Sequence, residues 1–326
     1  MPVQEAEVIP LQRARRVVGS SPAHVRPRRT TGVPAPVTEL HPRRVEPAPE
    51  PLHRKVVGFL RKRLTGDYPV DDFGFDPQLT DALILPALRV IYDNWFRVEV
   101  TGAENLPADG GALVVANHSG TVPWDAIMTS VAVHDNHPTG KHLRMLGADL
   151  VFKVPLINTL ARKTGQTLAC NADAERLLRA GEVVGVWPEG FKGIGKPFSE
   201  RYQLQRFGRG GFVSTALRAG VPIVPCSIVG AEEIYPKLAD LKPLAKALGL
   251  PYFPITPFFP LLGPLGAIPL PTKWRIHFGT PIRTDRADPG VVEDHGQVLD
   301  LAEEVRETIQ QTLNRLVGER ESVFRG

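Results

Sequence analysis

Val114-Val-Ala-Asn117-His118-Ser-Gly-Thr-Val-Pro-Trp-Asp125 is the stretch on which the fold turns. It begins inside a continuous apolar run, Gly111-Ala-Leu-Val-Val-Ala116, of the length and composition of a strand buried on both faces. It then breaks into polar residues and a Gly/Pro turn, and leads into Asp125–Val133, which reads as a helix. The same order recurs downstream. Apolar runs at Leu143–Gly147, Val183–Trp187 and Val221–Val229 are separated by helical patterns at Val154–Lys163, Asp173–Ala180, Gly208–Ala219 and Ala231–Ala239. Phe96, Val98 and Val100 alternate with polar partners, as does Lys273–Phe278, and a long helical pattern over Val291–Val317 closes the chain. Strands alternating with crossover helices predict the α/β class: a single layered domain with a mainly parallel sheet flanked by helices, over residues 66–326.

The chain has 326 residues, 42% hydrophobic and 23% charged, which excludes wholesale disorder and a disulfide scaffold. Cys170 and Cys226 both lie in apolar stretches, 56 positions apart, and read as two buried thiols of a reducing compartment. The net charge of +4 is unevenly spread. Residues 1–50 carry a net +3 and nine prolines with no sustained apolar period, which predicts a disordered arm. The arm lacks the apolar core of a signal peptide. Residues 51–65 carry five basic and no acidic side chains, and Val56, Val57, Phe59, Leu60 and Leu64 recur at roughly helical spacing. Such a basic amphipathic helix suits an anionic membrane surface, and equally a helix packed on the body with a solvated charged face. Residues 66–326 are left with a net −4, which argues against a nucleic-acid-binding core.

From Ala247 to Thr272 there are 26 residues without a charge, long enough to cross a bilayer. Seven prolines fall inside this segment, and that many helix breakers exclude a transmembrane helix. An apolar Pro-rich loop remains, suited to bordering an acyl-chain pocket, touching a membrane or covering a sheet edge.

The chemistry-bearing residues lie at the ends of the predicted strands, where α/β proteins place their sites. Asn117 and His118 follow one strand, and Asp125 heads the next helix. A histidine here can take a proton from a hydroxyl near neutral pH while a carboxylate fixes its tautomer. A lone His near an Asp is more often structural, so this pattern alone leaves both readings open. The second cluster is Trp187-Pro188-Glu189-Gly190-Phe-Lys192-Gly-Ile-Gly195-Lys196-Pro197, continuing through Arg201 and Arg206 to Arg209. Its glycines and cations suit a phosphate-bearing head group, or a solvated basic turn. Gly190, Gly195 and Lys196 also approach a P-loop, but Pro197 stands where a Mg²⁺-binding hydroxyl is required.

These blocks in this order resemble the glycerolipid acyltransferases typified by bacterial 1-acylglycerol-3-phosphate acyltransferase. The family carries an Asn-His…Asp block, a Phe-Pro-Glu-Gly-Thr-Arg-type block and a Val-Pro-(Ile/Val)-Val-Pro block. Here they stand as Asn117-His118…Asp125, Trp187-Pro188-Glu189-Gly190-Phe191-Lys192 and Val221-Pro222-Ile-Val-Pro225, within residues 90–285. Leu146–Pro155 is similar to the usual block between the first and third of these. Three departures mark a divergent branch: two extra residues between His118 and Asp125, Lys192 in place of the arginine, and no arginine around Leu168–Asn171.

The resemblance implies an O-acyltransferase with His118 as general base and Asp125 as its orienting partner. Asn117, Glu189, Gly190, Lys192, Arg201, Arg206 and Arg209 are implied in substrate binding. The partners implied are an acyl thioester donor, acyl-CoA or acyl carrier protein, and a lysophospholipid or glycerolipid acceptor. No further cofactor and no metal are implied. The expected location is the cytoplasmic face of the cell membrane, peripherally attached. A catalytically silent lipid-binding protein and a nucleotide-binding enzyme are the competing readings.

Overall fold

The computed structural model describes residues 52–66, 68–120, 122–247 and 253–325. The predicted arm over residues 1–50 lies outside these. The chain parts into two units between Lys55 and Val56, and the architecture below is that of the second.

Nine strands are present among the described residues: β1 (Glu99–Thr101), β2 (Ala112–Ala116), β3 (Leu143–Gly147), β4 (Thr167–Leu168), β5 (Val183–Val186), β6 (Ile223–Val229), β7 (Ala239–Asp240), β8 (Pro254–Ile255) and β9 (Arg275–Phe278). Seven of them form one sheet in the order β1-β9-β6-β2-β5-β3-β4, while β7 and β8 pair separately. Every neighbouring pair in the large sheet is parallel except β6 and β9. The mainly parallel sheet is therefore as expected from the apolar, non-alternating runs of β2, β5 and β6.

The helices are α1 (Leu52–Thr65), which crosses the boundary between the units, α2 (residues 77–95), α3 (Trp124–Asn136), α4 (Asp149–Lys153), α5 (Ile157–Lys163), α6 (Asn171–Arg179), α7 (Phe191–Ile194), α8 (Gly211–Ala219), α9 (Lys242–Ala247) and α10 (His295–Gly318). Helix α2 alternates α-turns with π-turns at Thr80–Ile84 and Ile91–Trp95. Successive residues of β2 face opposite sides of the sheet and divide the core. Val114 joins Leu85, Tyr92, Met128 and Val131 from α2 and α3. Leu113 and Val115 join Leu178, Val213, Val305 and Ile309 from α6, α8 and α10. The result is a helix–sheet–helix sandwich.

Three local expectations change. The predicted helix over Ala231–Ala239 is only a short 3₁₀ turn, Ala231–Glu233. Pro236 stops it, and the chain beyond turns to pair, with the Leu238 N–H donating to the Ile255 carbonyl. The helix expected over Val154–Lys163 begins only at Ile157, after Pro155, and a separate short helix, α4, precedes it. The strand expected to begin near Phe96 starts only at Glu99, because Phe96 caps α2 and stacks on Trp274 with ring centroids 4.5 Å apart. Cys226 is buried as expected, whereas Cys170 is only half-buried at the start of α6.

Candidate active site

Strands β5, β2 and β6 lie side by side and run parallel, with Val115 opposite both Val186 and Pro225, and β6 runs three residues past Cys226, the partner of Ala116. Each therefore delivers its next residues to the same rim of the sheet: Asn117 and His118 after β2, Trp187 to Glu189 after β5, and Gly230 to Glu232 after β6. Juxtaposition at this rim builds the site.

The loop after β2 brings Asp125 back to His118 despite its two extra residues. The His118 Nδ1 lies 2.6 Å from Asp125 Oδ2. An ionised carboxylate can only accept, so Nδ1 carries the proton and Nε2 keeps its lone pair. Asp125 is fully buried, and its other contacts hold it still: Oδ2 accepts the Ser119 backbone N–H at 2.9 Å and Oδ1 that of Ala126 at 2.9 Å. It sits in the first turn of α3, where the helix dipole favours a negative charge. Burial disfavours a charged His118, but the Asp125 carboxylate, with Glu189 and Glu232 further off, outweighs it. His118 is held above its ordinary value.

Glu189 and Asn117 were expected to touch substrate. Both are instead enclosed in the frame of the site. The Glu189 Oε1 accepts the backbone N–H of His118 at 3.0 Å, and Oε2 that of Gln205 at 2.8 Å. Asn117 is fully buried and bonds the backbone of β6 from both ends of its amide, accepting from the Ile228 N–H at 2.8 Å and donating to the Ile228 carbonyl at 3.0 Å. The reason is burial: a polar side chain at the end of an internal strand must find partners, and the adjacent strand supplies them. Gly190 follows Glu189 at φ +55°, a conformation that favours glycine. Gly193 packs against Glu189, where an added Cβ would stand 2.7 Å from the glutamate Cβ.

A cavity of about 320 Å³ opens at Ser119, the residue after His118; His118 and Asp125 themselves are not among its lining residues. Ser119, Gly120 and Val122 form one wall, Phe191 to Phe198 another, and Phe253, Pro254 and Phe259 of the Pro-rich segment close it. The lining is largely apolar, with Lys196, Arg201, Glu232 and Lys237 as its charged members. Of the expected cations, Arg201 lines this cavity, and Lys192 lines a second one that shares Phe191, Lys196 and Lys237 with it. Arg206 does not reach either: burial of Leu204 and Phe207 in the core beside α10 turns it toward Glu303 and Arg306 on that helix. Arg209 is exposed and lines no described cavity. Lys196 is buried between Glu189 at 3.6 Å and Glu232 at 3.1 Å, and donates to the Gln203 carbonyl. A lysine so occupied is not the phosphate ligand that the P-loop resemblance requires.

Two members of the site escaped the sequence reading. Burial pushes the Glu232 carboxyl up to about 7, with Lys196 acting against the rise. Tyr235 accepts the indole N–H of Trp124 at 3.1 Å and donates to the Ala267 carbonyl, fastening the Pro-rich segment to the start of α3. The only signal for either is that they follow a buried strand end, the same signal that marks His118.

A protein-family model described as Acyltransferase matches residues 97–229, which run from the approach to β1 to the end of β6 and include the whole His118–Asp125–Glu189 arrangement. An uncharacterized protein of Mycobacterium tuberculosis is 56% identical over 92% of this chain and 82% of its own. The chain belongs to the acyltransferase family. A human protein named as a DGAT1/2-independent enzyme synthesizing storage lipids is 26% identical over 68% of this chain and 62% of its own. The crystal structure of the 1-acyl-sn-glycerophosphate acyltransferase PlsC from Thermotoga maritima aligns with a TM-score of 0.49 at 19% identity, over 82% of this chain and 90% of that one. The Acyltransferase match spans the strand ends that build the site and stops short of the Pro-rich segment.

Proposed function

We propose that this acyltransferase moves a fatty acyl group from an acyl thioester, of coenzyme A or acyl carrier protein, to a hydroxyl of a lysophospholipid or glycerolipid at a membrane surface. The carrying observation is the His118 Nδ1 to Asp125 Oδ2 distance of 2.6 Å, with Ser119, the residue after His118, lining a largely apolar cavity. In this reading His118 Nε2 accepts the proton of the acceptor hydroxyl as its oxygen attacks the thioester carbonyl. Asp125 keeps the tautomer and stabilises the imidazolium. The tetrahedral intermediate then expels the thiolate, the C–S bond breaks, and the imidazolium returns the proton to sulfur. No acyl-enzyme is needed, and the sequence holds no Gly-x-Ser-x-Gly elbow to make one.

Exposed apolar side chains support the membrane assignment. Leu64 on α1 is 88% exposed, Leu156 before α5 is 85% and Leu261 in the Pro-rich segment is 83%. On α1 it is Arg63 that docks, onto the buried Asp76, while Val57, Leu60 and Leu64 face solvent. The segments carrying Leu156 and Leu261 also supply Leu150 and Phe259 to the cavity wall. An acyl chain could thus pass from a bilayer into the cavity without crossing water. No helix among the described residues is long and apolar enough to cross a membrane.

The test is transfer from labelled palmitoyl-coenzyme A to a panel of glycerol 3-phosphate, lysophosphatidate, other lysophospholipids, diacylglycerol and a long-chain alcohol. The storage-lipid relative is the reason to keep neutral acceptors in it. One labelled product, reduced ~10²–10⁴-fold in His118→Ala, is expected. Product formation that survives that change sinks the assignment.

A further inference from the structure

At the far end of α3 from Asp125, three side chains from three elements converge outside the acyl-transfer site. Asp81 comes from the first π-turn of α2, His134 from the last turn of α3, and His142 from the residue before β3. Their ligating atoms all lie within 4.8 Å of one another. His142 Nε2 stands 3.2 Å from Asp81 Oδ1, and His134 Nε2 3.7 Å from the same oxygen. Ligands of a tetrahedral zinc ion, at about 2.0–2.2 Å from the metal, are separated by roughly 3.3–3.6 Å. Both distances fall close to that spacing before any adjustment.

We propose that Asp81, His134 and His142 bind a divalent transition ion of the zinc type, with solvent completing the coordination, and that the ion ties α2 to the corner between α3 and β3.

The surroundings fit this use. Imidazole nitrogens select such ions over magnesium or calcium, which take oxygen ligands. His134 turns its other nitrogen, Nδ1, to Asp135 Oδ1 at 2.9 Å, the carboxylate–histidine arrangement that orients a metal-binding ring. Asp135 is itself held by Arg89 through two bonds of 2.8 and 2.5 Å. Arg89 pairs with Asp135, and its Nη2 also stands 3.5 Å from His134 Nδ1, on the side of the ring away from Asp81. Phe75 packs edge-on against His142 at 4.9 Å and limits its rotation. In a half-buried pair of imidazoles with rings 4.8 Å apart, one carboxylate oxygen serving both is the feature that an ion would exploit.

The test uses the full chain stripped with a chelator and titrated with Zn²⁺ alone by calorimetry, with Co²⁺ absorption as a second readout of coordination. One equivalent should bind, and Tm should rise with added Zn²⁺ as expected for a ligand of the folded state. His142→Ala and Asp81→Asn should each weaken binding at least as much as the ~10–100-fold typical for loss of an orienting partner, and Asp135→Asn should fall within that range. His295→Ala, an exposed histidine elsewhere, should bind as wild type does. Asp81 is exposed, so the metal-free Tm of Asp81→Asn separates loss of a ligand from loss of fold. Failure to bind one equivalent, or unchanged binding in both His142→Ala and Asp81→Asn, overturns the proposal.

Discussion

The Glu189 carboxylate accepts the backbone N–H of His118 at 3.0 Å, so the end of β5 holds the end of β2 in place. Its second oxygen does the same for Gln205, and Lys196 neutralises the buried charge. A residue that looked like part of a head-group pocket is in fact the strut that sets where the histidine stands.

Glu189→Gln keeps the shape but offers one acceptor oxygen where two N–H donors wait. One donor is left unsatisfied at a cost of ~1–3 kcal/mol, and Lys196 loses an ion-pair partner. Thermal unfolding should show a lowered Tm, and kcat should fall with little change in KM for the acceptor. A raised KM with unchanged Tm would return Glu189 to substrate binding.

The pH dependence follows from His118. Its value lies above the ordinary 6.5, so activity that needs a neutral ring should fall away on the acid side at a pH above 6.5. Asp125→Asn removes the largest raising influence and leaves burial, which lowers. The acid limb of kcat/KM should therefore shift to lower pH, with a rate loss of ~10²–10⁴-fold. Linkage adds a stability signature: a raised histidine stabilises below its unfolded value and loses that contribution as pH rises through the folded one. The Tm deficit of Asp125→Asn should accordingly be larger in acid than in mild alkali.

Asn117→Ala strands both the N–H and the carbonyl of Ile228 in a buried sheet. The expected destabilisation is ~2–4 kcal/mol, measured by urea denaturation, against a negligible effect if the amide faced substrate.

The cations divide by position. Arg201→Ala, at the cavity wall, should raise KM for a phosphate-bearing acceptor several-fold. Arg206→Ala and Arg209→Ala, neither of which lines the cavity, should leave that KM unchanged. Steady-state kinetics on the three variants checks this, and equal effects in all three would place the head group elsewhere.

Replacing Leu64, Leu156 and Leu261 together with serine should weaken liposome binding by about tenfold or more, since each buried leucine contributes on the order of 1.5–3 kcal/mol when it leaves water. Turnover of a detergent-solubilised acceptor should persist. Co-sedimentation with vesicles reads the first outcome and the acyl-transfer assay the second.

The sequence by itself determined the class of the fold and the position of the chemistry. Buried parallel strands need apolar residues on both faces, so β2, β5 and β6 announce themselves as unbroken apolar runs. Polar residues directly after such runs, Asn117-His118 and Glu189, must then lie at the strand ends. Local sequence cannot state which of those polar side chains face outward and which are consumed by the frame. That was decided by neighbours distant in the chain: Ile228 claims Asn117, Gln205 and Lys196 claim Glu189, and the core beside α10 turns Arg206 away. The longer turn before Asp125 was likewise ambiguous until α3 packed against β2 and brought the carboxylate back to His118. The α2 helix passed unread because its alternating α- and π-turns spoil a regular period. The meeting of Asp81, His134 and His142 has no sequence signature at all, since each arrives on a separate element. Burial forces polar groups to pair, and the pairs form across strands and layers, where only the tertiary structure brings them within reach.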